Sequence, residues 1–236
     1  ASRGGRGVAM SAVPADSVSV VLLAGGVGKR MGAKLPKQYI KLGGKEIALY
    51  SLELFAGMEH VSEIVVVCEE EWEDLFRGAG IGKPLKFARP GKERQDSCFN
   101  GFSEIRDGAA LVAIHDSARP LLTPEDALNC FNDAQEHGAA VLGVPVKSTI
   151  KEVDGNKLVV RTPDRATLWE VQTPQVIKPE LLARGFDKVK TENLEVTDDV
   201  SIIEQLGEPV FITEGDYTNI KLTTPEDLQL AESVLA

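Results

Sequence analysis

Val18–Leu23 is a continuous apolar run broken only by Ser19, the pattern of a strand buried on both faces of a parallel sheet. Ile64–Cys68 repeats it, Leu85–Ala88 is a weaker third run, and Ala110–His115 and Ala139–Val146 are two more. Between them the apolar positions change to helical spacing. Leu49, Leu52 and Phe55 place a helix over Ile47–Gly57, and Asp96–Ile105 reads as another. Thr123-Pro124-Glu125-Asp126 is a helix start, with an N-cap hydroxyl, proline at the first position and acids in the first turn; Gly138 should end that helix. The same tetrad recurs at Thr224-Pro225-Glu226-Asp227 and opens a C-terminal helix. Strands alternating with helices predict an α/β domain built on a mostly parallel sheet.

One segment breaks the alternation. Thr149–Val153 and Leu158–Thr162 are strand-like runs joined by Asp154-Gly155-Asn156, a hairpin turn signal with no helix between. They predict a β-hairpin arm over roughly residues 147–171, inserted in the domain. A lone hairpin cannot bury both faces, so it should dimerise or cap a site.

Composition bounds the rest. The 236 residues suit one large domain or one domain with an appendage; 43% are hydrophobic and 26% charged, as in ordinary globular chains. No apolar run approaches the ~20 residues that span a bilayer, so no membrane partner is expected. A net charge of −10, from 36 Asp+Glu against 26 Lys+Arg, argues against nucleic acid as a partner. Cys68, Cys98 and Cys130 show no metal or redox spacing and read as buried thiols. Residues 1–17, with Arg3, Arg6, Ala, Ser and Gly, read as a disordered leader: a transit-peptide remnant, or a ragged or added terminus. The domain then runs over 18–236.

Charge is distributed unevenly. Between Asp16 and Glu46 there is no acid, while Lys29, Arg30, Lys34, Lys37, Lys41 and Lys45 carry positive charge around Gly25, Gly26, Gly28 and Gly32. A cationic, glycine-rich loop after a buried strand suits a polyanion such as a nucleoside triphosphate, although a flexible turn with solvated lysines fits the same residues. Two phosphate motifs fail: Gly28-Lys29 is followed by Arg30 rather than Ser or Thr, and Gly26-Val27-Gly28 lacks the third glycine of the dinucleotide pattern. Asp116, at the carboxyl end of a buried strand, stands where ligands bind in open α/β sheets. It could hold Mg²⁺ on a triphosphate or merely cap the next turn. His115 beside it suggests a general base, but packing or hydrogen bonding is the simpler use. Pro90–Ser97 is a polar loop opening a helix, either a reader of a nucleobase through backbone groups and Ser97 or a solvated turn.

These blocks together resemble the 2-C-methyl-D-erythritol 4-phosphate cytidylyltransferases: Ala24–Met31, Pro36-Lys37-Gln38-Tyr39, Gly91–Ser97, His115–Pro120, Asp164-Arg165, Gln172-Thr173-Pro174-Gln175, Val196–Asp199 and Asn219-Ile220-Lys221. The resemblance covers the chain from Val18 onward. It implies a Rossmann-like nucleotidyltransferase domain, a homodimer formed by exchange of the hairpin arm, and transfer of CMP from CTP to methylerythritol phosphate with Mg²⁺ as cofactor. It assigns catalysis to Arg30, Lys37, Asp116 and Lys221, with the metal on Asp116. CTP would be held by Ala24, Gly25, Gly26, Gly28, Arg30, Lys37, Gly91, Ser97, Asp116 and Ser117. Arg119, Thr149, Thr173, Thr197 and Lys221 would line the acceptor pocket, and Arg165 would reach it from the partner subunit. Lys92 departs from several bacterial members, which have Asp there, and is left out of the site. The core blocks look most like plant and algal members, which with the leader implies the chloroplast stroma; a bacterial cytoplasm is the alternative. Within the fold, ribitol-5-phosphate cytidylyltransferase is the rival activity, and a catalytically silent homologue is the rival of another class.

Overall fold

A computed structural model describes residues 12–26 and 35–235. The strands are β1 (Val18–Leu23), β2 (Lys41–Leu42), β3 (Lys45–Glu46), β4 (Val61–Val67), β5 (Leu85–Ala88), β6 (Leu111–Asp116), β7 (Ala139–Pro145), β8 (Glu152–Val153), β9 (Val159–Arg161), β10 (Trp169–Ile177) and β11 (Phe211–Glu214). The helices are α1 (Ile47–Gly57), α2 (Glu73–Gly78), α3 (Arg94–Phe102), α4 (Pro124–His137), α5 (Pro179–Glu192), α6 (Ser201–Glu204) and α7 (Pro225–Leu235). Seven strands form one sheet in the order β11-β7-β10-β6-β1-β4-β5. All neighbours are parallel except β10, which runs antiparallel to both β6 and β7. The expected mostly parallel α/β sheet is therefore present, with one reversed central strand.

Strand alternation divides the core in two. Val18, Val20 and Leu22 of β1, Ile64 and Val66 of β4, and Leu111 and Ala113 of β6 pack on α1 and α4 through Leu52, Phe55, Cys130 and Phe131. Val21, Val65, Val67, Val112 and Ile114 face the opposite way, onto Cys98 of α3, Leu182, Phe186 and Val189 of α5, and Ile202 and Ile203 of α6. Carried to the end of β6, the same alternation turns His115 toward α1 and Asp116 toward α3. The three cysteines are buried and free, as expected.

Two edges differ from the sequence expectation. The helix placed over Asp96–Ile105 spans Arg94–Phe102 because the Glu93 N–H donates to Asp96, starting the first turn earlier. The leader expected to be disordered through residue 17 is docked from Val13. That side chain is buried in the α1 and α4 core, its N–H donates to Asn132, and Asp16 and Ser17 donate to the carbonyls of Glu59 and His60.

The expected hairpin is present as a separate two-stranded sheet, β8 antiparallel to β9. Asp154 organises its turn by accepting the N–H groups of Asn156 and Leu158, and Lys157 rather than Gly155 takes the left-handed conformation. Val153, Leu158, Val159 and Val160 are all exposed on it.

At the other end of the sheet Glu63 is a buried carboxylate accepting from Ser19 Oγ (2.7 Å) and the Arg106 N–H, with Lys86 Nζ at 2.9 Å. Burial pushes its carboxyl up, and these donors outweigh that and hold it below the usual range. Glu63→Ala should cost about 1–3 kcal/mol by leaving the buried donors unpaired. A depressed carboxyl contributes stability above its unfolded value of about 4.3 and loses it as pH falls through the lower folded value. Urea midpoints should therefore separate wild type and variant fully at about pH 6, and draw together as pH falls below about 4.3 toward the lower folded value.

Candidate active site

Sequence puts four elements around one point. β1 and β6 end side by side, with Leu23 paired to Asp116, and the chain leaves both strands on the same edge of the sheet. After β1, the Ala24 carbonyl accepts from Gln38 Nε2 (2.6 Å) and Tyr39 Oη (2.8 Å), and the Gly26 carbonyl accepts from the same Gln38 nitrogen. The Tyr39 ring stacks on Trp72 at 3.7 Å between centroids. These contacts fix the turn Lys37–Tyr39 against the strand end and so place Lys37 at the mouth of the site. After β5, Pro90–Ser97 folds back, with the Gly91 N–H donating to Ser97 Oγ, which donates to the Glu93 carbonyl. The segment Asn219–Leu222 is tied down by Arg119 Nη1 on the Asn219 carbonyl (2.6 Å) and by the Leu222 N–H on the Ala118 carbonyl (2.9 Å).

Together they enclose a cleft of about 420 Å³. Of the residues expected at the site, Gly25, Gly26, Lys37, Gly91, Ser97, Asp116, Ser117 and Lys221 line it. Gly28 and Arg30 lie outside the described residues. Ala24 sits beneath the cleft with its carbonyl taken by Gln38 and Tyr39 and its N–H by the Val67 carbonyl. Arg119 and Thr173 are buried behind it, and the Arg119 Nε has no partner among the described residues. Thr149, Arg165 and Thr197 are exposed and do not line the cleft of their own chain; the Arg165 guanidinium donates to the Lys147 carbonyl at the base of the arm. Lys41 and Lys45, two of the six clustered cations, pair with Glu46 and Glu53.

Arg94 was not anticipated. Its guanidinium bridges Asp199 (2.6 Å) and Asp116 (3.3 Å), while Lys221 Nζ reaches the other Asp116 oxygen at 2.7 Å. Burial pushes the Asp116 carboxyl up, but Arg94, Lys221 and Arg119 together outweigh it and hold the group well below the usual carboxylate range. Asp199 is the reverse case: burial raises its carboxyl and Arg94 offsets this only in part. A signal for Arg94 existed in the sequence. A cation in the first turn of a helix opposes the helix dipole and so needs an acid close by. Lys92 also lines the cleft.

The donor set accommodates a divalent cation only jointly with a substrate. Among the described residues no group of three His, Cys, Asp or Glu comes together to hold a metal, and the carboxylates that line the cleft are Glu93 and, at the end of β6, Asp116. That is the manner in which Mg²⁺ is usually held, by one or two carboxylates completed with phosphate oxygens and water.

Two glycines are required by close approach. A Cβ on Gly25 would strike the Pro90 ring, and one on Gly91 would overlap Asp96, whose backbone carbon is only 3.0 Å from that position. Gly91→Ala should open the loop and weaken binding of the nucleotide that the sequence resemblance implies by roughly 10–100-fold, measurable by titration calorimetry.

The comparisons with known proteins agree with this geometry. The family model described as IspD: 2-C-methyl-D-erythritol 4-phosphate cytidylyltransferase matches residues 18–236. The chain is 59% identical over 226 residues to the chloroplastic 2-C-methyl-D-erythritol 4-phosphate cytidylyltransferase of Oryza sativa, covering 95% of this chain and 76% of that protein. It is 42% identical to the enzyme of the same name from Caldanaerobacter subterraneus, over 93% and 99% of the two chains. Among solved structures, 4-diphosphocytidyl-2C-methyl-D-erythritol synthase from Anaerococcus prevotii superposes with a TM-score of 0.83 at 26% identity, over 92% of this chain and 97% of that one. The Thermus thermophilus 2-C-methyl-D-erythritol 4-phosphate cytidylyltransferase gives 0.76 at 30% identity, over 92% and 98%. With the family model matching across residues 18–236 and relatives 59% and 42% identical over nearly the whole chain, the chain belongs to the 2-C-methyl-D-erythritol 4-phosphate cytidylyltransferase family.

Proposed function

We propose that this protein transfers CMP from CTP to 2-C-methyl-D-erythritol 4-phosphate, releasing pyrophosphate and 4-diphosphocytidyl-2-C-methyl-D-erythritol, a step of non-mevalonate isoprenoid synthesis. The observation that carries this reading is the cleft itself, where Asp116 lies among Lys37, Arg94 and Lys221 under a loop that Gly25 and Gly91 allow to close. A phosphate oxygen of the acceptor attacks the α-phosphorus of CTP, and the bond to the pyrophosphate oxygen breaks. The nucleophile is ionised at neutral pH, so the protein's task is to bring two anions together and neutralise the charge that leaves. Lys37 and Arg30 are assigned to that charge, and Lys221 to the incoming phosphate. The ribose and cytosine lie against Gly25, Gly91 and Ser97. A divalent ion, taken as Mg²⁺, would be held by Asp116 and would neutralise phosphate oxygens during transfer.

The acceptor pocket is assigned to Arg119, Thr149, Thr197 and Lys221, with Thr173 supporting it from behind. The exposed apolar face of the arm supports a homodimer in which each arm crosses to the other subunit and delivers Arg165. Residues 18–236 form the catalytic domain, with the arm lying between β7 and β10, roughly over 147–168. Likeness to the chloroplastic rice protein supports a place in the chloroplast stroma. No described helix is long and apolar enough to cross a membrane.

Pyrophosphate release with CTP, Mg²⁺ and either methylerythritol phosphate or ribitol 5-phosphate tests the reading. Preference for the first is expected; preference for ribitol 5-phosphate, or no release with either, would overturn it. Lys37→Ala should lower kcat roughly 10²–10³-fold while changing CTP affinity far less, since its charge is needed most when pyrophosphate departs. Isothermal titration alongside rates separates the two.

A further inference from the structure

His115 is fully buried one residue before Asp116, yet the reaction proposed above gives it no role. Its ring lies between two hydroxyls from different elements. Nδ1 is 3.0 Å from Thr173 Oγ1 of β10, and Nε2 is 3.3 Å from Ser51 Oγ of α1. Phe55 covers the ring edge-to-face at 5.2 Å.

The partners of those hydroxyls fix where every proton goes. Ser51 Oγ lies 3.2 Å from the Arg119 carbonyl, which can only accept, so the single serine proton is spent there. Toward the imidazole Ser51 must then accept, and Nε2 carries a hydrogen. Thr173 Oγ1 accepts the Asp116 backbone N–H at 3.1 Å. Its own proton has one remaining acceptor in reach among the described residues, the bare Nδ1. Only the Nε2–H form satisfies all five groups in a single direction: Asp116 N–H to Thr173, Thr173 to Nδ1, Nε2–H to Ser51, Ser51 to the Arg119 carbonyl. A buried network of this kind is rigid only when every member is satisfied.

We propose that His115 is a positioning residue of the transfer reaction, a one-proton strut that holds the Asp116 amide through Thr173 and the Arg119 carbonyl through Ser51. The short segment 116–119 is thereby clamped at both ends by one ring. Asp116 and Arg119 stand on that segment, the first turned toward the cleft and the second carrying a donor unpartnered among the described residues. Thr173 accordingly serves the site from behind, with its hydroxyl engaged by Asp116 and His115. The proposal rests on the transferase reading given above.

Nitrogen-15 NMR of histidine-labelled wild-type protein is expected to show His115 with one protonated and one bare ring nitrogen, the protonated one being Nε2. A hydrogen on Nδ1 would overturn the strut. His115→Leu should lower kcat about 10–100-fold while KM for CTP stays within about threefold, because a displaced catalytic segment costs rate rather than nucleotide binding. His115→Asn, whose amide oxygen can take the Thr173 proton in place of Nδ1, should recover turnover to within about fivefold of wild type. Equal kcat in the Leu and Asn variants, or a loss that falls wholly on KM, would overturn the proposal. Should the Leu variant fail to fold, the Asn variant and the spectrum still decide it. Wild-type protein inactive with either polyol phosphate would refute the transferase reading, whereas the ring spectrum is recorded without turnover.

Discussion

An Asp116→Asn protein is expected to fold, to bind CTP, and to turn over about 10²–10³-fold more slowly than wild type at saturating substrates and Mg²⁺. The amide matches the carboxylate in size, and the β6 backbone that carries it stays in register with β1. Two of its former partners keep a partner or reach water, while buried Arg119 loses the anion beside it. Arg94 keeps Asp199 at 2.6 Å, and Lys221, 38% exposed, can turn to water. Stability should fall, because a carboxyl held below its usual range stabilises the fold at neutral pH, and the melting temperature is expected several degrees below wild type with the transition still cooperative. Turnover differs because what is lost is a full negative charge that three cations hold ionised against burial. Without it the end of β6 has no carboxylate to share a divalent ion with phosphate oxygens, and Lys221 loses the oxygen that orients its ammonium. The two losses can be separated. Adding Lys221→Ala to Asp116→Asn should cost less than it does in wild type, because the ion pair is already broken. Additive losses would mean that the two residues act independently. Near-normal kcat in Asp116→Asn would remove the carboxylate from the transfer step.

Much of the fold was legible because parallel strands buried on both faces leave a plain trace. Val18–Leu23 and Leu85–Ala88 fall where their apolar runs place them, as does α1, and the Thr-Pro-Glu-Asp tetrads start α4 and α7. What stayed hidden was polar. β10 is a central strand, but Gln172, Thr173, Pro174 and Gln175 interrupt its apolar pattern, and a proline argues against a central strand. The sheet accommodates it with a break in register between Val171 and Gln175. Those same buried side chains are the scaffold of the site: Gln172 and the Thr173 carbonyl hold Asn219, and Gln175 accepts the N–H groups of Asp199 and Val200. A pattern search for apolar strands thus passes over the strand that builds the pocket. Arg94 was missed for a related reason, since its meaning lies in Asp116 and Asp199, which are distant in sequence. Gly25, Gly26, Lys37 and Asp116 could be grouped from sequence because their pattern is local, and the structure places all four around the cleft.

The arm makes the other large prediction. An Arg165→Ala protein and an Asp116→Asn protein should each be nearly inactive, and mixing them after mild dissociation should restore activity. In a symmetric dimer with crossed arms, a subunit retaining Asp116 receives Arg165 from its partner, so a mixed dimer contains one site with both residues intact. With random re-pairing half the dimers are mixed, and the recovered rate should approach about a quarter of wild type per chain. The structure gives reason to expect exchange. Arg165 is exposed and does not line the cleft of its own chain, and the arm carries Leu158 and Val160, 66% and 61% exposed, on a two-stranded sheet with no core of its own. Such a hairpin is marginal in water unless something covers it. Replacing Leu158 and Val160 together by Glu should therefore yield monomers by light scattering and abolish the rescue, while the seven-stranded domain keeps its melting transition. If each subunit used its own Arg165, every site in the mixture would lack one of the two residues and no activity would return.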